Sequence, residues 1–193
     1  IWNLYLLAQL PREIALTFWL RINEKKHLFA GEDYFLSIFG LDALPGLLLA
    51  FSYRPKETFP LILNFGATEL ALPVARVWRR FAAQRDLARQ WILHWPEHTA
   101  TALIPLVFTK PSDNSEAALF ALRLLYEQGH GELLQTAANR WQRTDVWPAL
   151  EHLLKQSPIE IYPARMPKAP DFWHPLMWSR PRLITNNQTV TND

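Results

Sequence analysis

Apolar positions recur at helical spacing through most of this chain, most clearly from Asp86 to Gly129. Leu87, Ala88, Trp91, Ile92 and Trp95 fall at i, i+1, i+4, i+5 and i+8, one apolar stripe along a helix. Arg85, Arg89 and Gln90 take the other side. Pro96 ends this helix, because the residue before a proline is pushed out of the α region. A second helix, from about Glu97 to Phe108, is apolar nearly all round and is expected to be buried on more than one side. Pro105 inside it predicts a kink, at a cost of roughly 3 kcal/mol relative to Ala that packing must offset. A third helix starts at Asp113, whose side chain can cap, with Glu116 three residues on as in a capping box. Ala118, Leu122 and Leu125 form its stripe, and Gly129 can take the left-handed conformation just past its end.

The same reading extends to both sides. Trp2 to Leu10 predicts a short apolar helix, and Pro11 opens the next, which runs to about His27 with Ile14, Phe18 and Ile22 on one face and Leu16 and Trp19 beside it. Tyr34 to Phe39 predicts a short helix closed by Gly40, and Leu41 to Phe51 another. Arg54-Pro55-Lys56 reads as a turn and Phe59 to Phe65 as a short helix. Thr68 caps a helix that carries Leu72, Ala75, Val77, Trp78 and Phe81. Glu132 to Trp141 and a last segment from Thr144 or Asp145 to Lys155 complete the series. Units of this kind cannot bury their apolar faces alone, so they stack. The expectation is an all-α domain over 1–156, an irregular HEAT-like stack of about ten helices in antiparallel pairs. From Ser157 the prolines recur with Trp173 and Trp178 between them. Residues 157–193 read as a Pro/Trp-rich extended segment docking on the helices, with a frayed end from Asn186.

Composition narrows the chemistry. There are 9 tryptophans, which in a helical domain fill wide gaps between helices, and 15 prolines, which fall mainly near helix ends. With no cysteine there are no disulfides and no thiolate metal sites, which fits a reducing cytosol. The net charge of +2 gives no general argument for nucleic acid. The apolar run Leu41 to Phe51 is broken by Asp42 and is too short to span a bilayer, so no membrane partner is expected. The start at Ile1 rather than Met reads as a piece of a longer protein.

No catalytic constellation is visible. His94 and His98 are four apart, but Pro96 between them keeps the rings off one helical face, and no metal or cofactor site is assigned. The acidic residues are scattered, and no glycine-rich phosphate loop or G-x-S-x-G elbow appears. The best basic cluster is Arg76, Arg79, Arg80, Arg85 and Arg89, interleaved with Trp78 and Phe81. Such a face could contact a nucleic-acid backbone or an acidic partner. With so small a net charge, the preferred reading is a solvated helix face whose arginine stems cover apolar surface.

One resemblance adds to this. From Ala88 to Arg182 the order is His94-Trp95-Pro96-Glu97, then ALIPLVFTKP, EAALFALRLLYEQGH, SPIEIYPARMPKAPDFW and SRPRLI. It resembles the central region of bacterial proteins similar to the molybdate metabolism regulator, which carry a WGR domain near the start. Its most specific piece is Pro163-Ala164-Arg165-Met166-Pro167 followed by Phe172-Trp173 and Arg180-Pro181. The resemblance implies an α-helical, HEAT-like region within a longer cytoplasmic protein and supplies no catalytic residue. Trp78-Arg79-Arg80 is not Trp-Gly-Arg, so the WGR domain itself lies elsewhere. The expected function is a non-enzymatic scaffold for an unidentified protein partner, which includes other domains of the full-length chain. The alternative is a nucleic-acid-binding helical module using the Arg76–Arg89 face.

Overall fold

The computed structural model describes residues 2–25, 29–141, 143, 145–156, 183–185 and 188–190. The chain divides into two compact units, Ile1–Lys155 and Gln156–Asp193. The fold is all-α. Among the described residues the first unit holds eleven α-helices. These are α1 (Leu4–Leu7), α2 (Arg12–Glu24), α3 (Glu32–Phe39), α4 (Leu44–Tyr53), α5 (Pro55–Ile62) and α6 (Thr68–Arg80). Then come α7 (Arg85–His94), α8 (Pro96–Val107), α9 (Asp113–Glu127), α10 (Gly131–Asn139) and α11 (Val146–Lys155). Short 3-10 turns at Gly40–Ala43 and Ala82–Gln84 link α3 to α4 and α6 to α7. Two short strands, β1 (Trp2–Asn3) and β2 (Phe29–Ala30), pair in parallel beside α1. In the second unit β3 (Leu183–Thr185) pairs antiparallel with β4 (Gln188–Val190). The frayed end expected from Asn186 is therefore corrected over 188–190, which form a ladder with 183–185. The extended Pro/Trp-rich segment at 157–182 lies outside the described residues.

Helix α6 is the hub, packing against α4, α7, α8 and α9. Its inner face is Leu70, Ala71, Val74, Ala75 and Val77, and the two alanines let neighbouring helices approach closely. Helix α9 answers with Ala117, Ala118, Ala121, Leu122 and Leu125. Helix α8 buries Thr99, Ala100, Leu103 and Ile104 between α9 and α10. Arg123 reaches across from α9 and donates from Nη2 to the Leu153 carbonyl near the end of α11 at 2.8 Å, satisfying one of that helix's open acceptors.

Tryptophan indoles close the junctions between helices. Trp19 of α2 is fully buried and donates from Nε1 to the Ala43 carbonyl at 2.8 Å, at the turn into α4. Trp91 donates to the Phe65 carbonyl at 2.9 Å and Trp95 to the Leu63 carbonyl at 3.1 Å, so α7 clasps the connection from α5 to α6. Glycine gives the rings their room. A Cβ on Gly46 would sit 2.2 Å from the Trp19 ring, and one on Gly66 would sit 2.4 Å from the Trp95 ring. Buried Asn23 donates to the Trp19 carbonyl at 2.9 Å and accepts from the Tyr53 hydroxyl at 3.1 Å. The Arg54–Glu32 ion pair, 2.8 Å long, joins the start of α5 to that of α3, and burial raises the Glu32 carboxyl above its ordinary range despite the guanidinium beside it.

Several expectations are corrected. The inner stripe of α2 is Ala15, Trp19 and Ile22, whereas Ile14 and Phe18 face outward. The first helix is only Leu4–Leu7, because Trp2 and Asn3 pair with a strand and the Asn3 side chain caps the Tyr5 amide. Arg54-Pro55-Lys56 is the start of α5, with proline at a position that needs no amide hydrogen. The N-cap of α6 is Ala67 rather than Thr68. Helix α9 is capped by Ser112, whose hydroxyl accepts from the Ser115 amide at 3.2 Å while Ser115 Oγ accepts from the Ser112 amide at 2.9 Å. The capping box is Ser112–Ser115, and Asp113 and Glu116 are left free for other partners. Pro105 lies inside α8 as expected, while Pro60 and Pro73 also lie inside helices rather than at their ends. Gly129, with φ of 88°, is left-handed as expected.

The helical stretch Glu32–Tyr53 has the length and composition of a membrane span, which the shorter run from Leu41 did not suggest. Gly40 at φ 54° and ψ −131° breaks it into α3 and α4. Its inner residues Phe35, Phe39, Leu47 and Phe51 belong to the core.

Replacing Gly46 or Gly66 with Ala is predicted to destabilise the helical unit by about 1–3 kcal/mol, since the added methyl must displace an indole ring and its hydrogen bond. Equilibrium urea unfolding checks this. Gly131→Ala, where the nearest side-chain atom would be 3.6 Å away, is the near-neutral control.

Candidate functional site

The five arginines singled out in the sequence lie along the end of α6 and the first half of α7. Arg79 and Arg80 occupy the last turn of α6, where a positive charge complements the helix dipole. Asp113 and Glu116 occupy the first turn of α9, where the opposite charge is favoured. The structure brings these two helix ends together. Arg79 Nη1 donates to Asp113 at 2.7 Å and its Nη2 pairs with Glu116, while Arg80 reaches the same Asp113 oxygen at 2.6 Å. Arg76 donates from Nε to the Asn114 side-chain oxygen at 2.9 Å. Arg89, on α7, donates to the Gln128 side chain just past the end of α9 at 3.1 Å. Arg85 donates to the Trp78 carbonyl at 3.2 Å and lies over the Trp78 ring, 5.8 Å from its centroid.

The basic cluster is therefore real in space, and each guanidinium has a partner within the protein. Arg76, Arg80, Arg85 and Arg89 remain exposed at their outer edges, while Arg79 is half-buried. The sequence reading missed the acceptors. Asp113, Asn114 and Glu116 lie more than thirty residues from the arginines that they hold. The only local signal was the acidic start of α9, which was assigned to capping.

Elsewhere, His94 and His98 both stand edge-on to the Trp95 ring, with centroids 4.8 and 5.6 Å away. Among the described residues no group of three or more His, Cys, Asp or Glu side chains is placed to hold a metal ion.

Open grooves mark the surface among the described residues. One of about 420 Å³ runs between the end of α8 and the start of α11, floored by Ile104, Pro105, Val146 and Ala149. Phe108 and Trp141 stand on it with 46% and 50% of their surface exposed. The Arg143–Asp145 pair, 2.7 Å long, forms its polar edge, and that hydrogen bond holds the Asp145 carboxyl below its usual range. A second groove of about 290 Å³ is polar, lined by Glu97, Thr101, Glu132, Thr136 and Arg140. A third, of about 560 Å³, lies between α3 and the α5–α6 connection, lined by Leu36, Leu41, Leu61 and Phe65.

Comparison with known proteins shows what the chain is similar to. The chain is 92% identical over all 193 residues to an uncharacterized protein of Escherichia coli (strain K12), YehI, and spans 16% of that protein's length. No family model matches the chain, and no solved structure matches it. The relative's name assigns no activity, and the remaining 84% of its length lies outside these residues.

Exposed single ion pairs contribute only about 0.2–1 kcal/mol, but the Arg79 site joins two carboxylates and two helix ends. Arg79→Glu together with Arg80→Glu would place four like charges at that junction. The double variant is predicted to lower the melting temperature of the helical unit by several degrees, and high salt is predicted to narrow the difference from the wild type. Differential scanning calorimetry at two salt concentrations checks this.

Proposed function

We propose that this helical unit is a scaffold for protein–protein interaction, HEAT-like in its stacking, within a larger regulatory-type protein similar to the molybdate metabolism regulator. The observation that carries the reading is the groove between α8 and α11. Phe108 and Trp141 remain half exposed there over an apolar floor, with a charged pair at the rim. Aromatic anchors on an apolar floor with a polar rim are what a protein interface requires. The groove is open to the surface. The non-enzymatic role and the cytoplasmic setting are part of the proposal.

The test uses the full-length protein that carries these residues. Phe108→Ala with Trp141→Ala is predicted to leave the fold intact, because both side chains lie outside the core. It is predicted to weaken capture of partner proteins by roughly thirtyfold, as expected when aromatic anchors worth about 2 kcal/mol are removed. Unchanged capture would contradict this placement of the binding groove.

A second reading is nucleic-acid binding through Arg76, Arg79, Arg80, Arg85 and Arg89. Their shared face favours it, and the acceptors that already hold each guanidinium weigh against it. The scaffold reading predicts no duplex or single-stranded DNA binding that falls steeply with salt. Such binding, lost in Arg76→Glu with Arg85→Glu, would favour the second reading instead.

A further inference from the structure

The arginines of α6 and α7 fall into two kinds by what holds them. Arg79 and Arg80 are held by carboxylates, those of Asp113 and Glu116. Arg76, Arg85 and Arg89 are held by neutral oxygens, which belong to the Asn114 side chain, the Trp78 carbonyl and the Gln128 side chain. A neutral acceptor fixes a guanidinium and leaves its charge standing. Among the described residues no carboxylate pairs with these three arginines. All three are exposed and keep donors to offer. Arg85 uses only Nε, so both of its terminal nitrogens are free, while Arg76 keeps Nη1 and Arg89 uses only Nη2.

Direct contacts tie these groups into one surface along α9. Arg76 meets Asn114, Arg79 meets Asp113 and Glu116, Trp78 stacks with Phe120 at 5.8 Å, and Arg89 meets Gln128. Arg85 links α7 to the same set by lying over the Trp78 ring. The strip therefore follows α9 from Asp113 to Gln128, a length of about 22 Å at the helical rise per residue. Near its middle the Phe120 ring backs on Trp78 and keeps 44% of its surface exposed. A ring braced by a second ring, with cationic donors to either side, is held ready to act as an anchor.

The acidic residues decide what fits. Asp113 and Glu116 lie within the strip, and Asp86 and Glu127 are exposed next in sequence to Arg85 and Gln128. A nucleic-acid backbone carries a charge at every step and would bring phosphates against these carboxylates. A polypeptide can place its acidic side chains against Arg76, Arg85 and Arg89, and neutral or apolar ones between them. Guanidinium N–H pairs also match the two oxygens of a carboxylate. We infer that the strip formed by α6, α7 and α9 docks an acidic segment of a partner protein. Its carboxylates meet Arg76 on one side and Arg85 and Arg89 on the other, and an apolar side chain between them packs on Phe120. The inference rests on the scaffold reading for the class of partner, and goes beyond it by giving a second surface and the chemistry of what binds there.

The experiment is fluorescence anisotropy with the full-length protein and a fluorescein-labelled synthetic peptide in which glutamates flank a central Leu-Phe pair. Binding is expected to saturate and to weaken as salt rises. Arg85→Glu with Arg89→Glu is expected to weaken it roughly tenfold or more, and Phe120→Ala about fivefold. Lys56→Glu with Arg140→Glu, which changes the net charge equally at exposed positions elsewhere, is expected to leave it unchanged. Arg85→Gln with Arg89→Gln repeats the test without charge reversal, and circular dichroism checks that each variant is folded. No binding, equal binding of the same peptide with glutamines for glutamates, or equal weakening in the Lys56 and Arg140 variant would overturn the inference. Displacement of the peptide by oligothymidylate at a lower concentration than unlabelled peptide would overturn it in favour of nucleic acid. The two readings fail separately. Peptide binding lost with Phe108→Ala and Trp141→Ala but kept in the arginine variants would remove the inference and leave the scaffold. Peptide binding lost in the arginine variants, with partner capture indifferent to Phe108 and Trp141, would do the reverse.

Discussion

The helical unit depends on indole rings that cross from one helix to the backbone at the end of another. Trp19, Trp91 and Trp95 each fill a gap too wide for an aliphatic side chain, and each donates to a carbonyl at a helix junction. A hydrogen bond of this kind contributes about 0.5–1.5 kcal/mol net. One side chain thus supplies apolar contact and satisfies the point where helical hydrogen bonding stops. Gly46 and Gly66 are the counterpart, since a methyl at either position would occupy the ring's place. The clasp of Trp91 and Trp95 on 63–66 also seats α7 against the start of α6, and thereby sets where the arginines of both helices lie.

That placement explains the character of the basic cluster. Arg79 and Arg80 end one helix and Asp113 and Glu116 begin another, so dipole, charge and hydrogen bond act in the same direction. A surface that reads in one dimension as a positive face is in three dimensions a set of links between α6, α7 and α9. The apolar surface follows another logic. It stays outside where inner faces are already filled, on the outer sides of α2 and α3 and over the α8–α11 groove.

Much of this architecture was legible in the pattern of residues. The stripe Leu87, Ala88, Trp91, Ile92 located α7, and Pro96 marked its boundary because Trp95 is pushed out of the α region, at φ −121° and ψ 57°. Gly129 marked the end of α9. Periodicity failed where two adjacent stripes were both apolar. On α2 it could not choose between Ile14–Phe18 and Ala15–Trp19–Ile22, since only the neighbouring helices decide which turns inward. Capping failed at α9 because Asp113 and Ser112 are both good caps, and Arg79, thirty-four residues away, draws off the aspartate. The cluster was legible as five residues and illegible as a network, because its acceptors come from a distant helix. Nothing in local spacing reported Phe108 and Trp141 as neighbours on one groove.

The central claim is that indole hydrogen bonds at helix junctions hold the unit together. Amide-type hydrogen exchange at the tryptophan Nε1 positions, followed by nitrogen-15 NMR in the folded protein, tests it most directly. The indoles of Trp19, Trp91 and Trp95 should exchange only with global unfolding, as slowly as the most protected backbone amides of α6. The indole of half-exposed Trp141 should exchange within the dead time. Exchange at Trp91 or Trp95 as fast as at Trp141 would contradict the account.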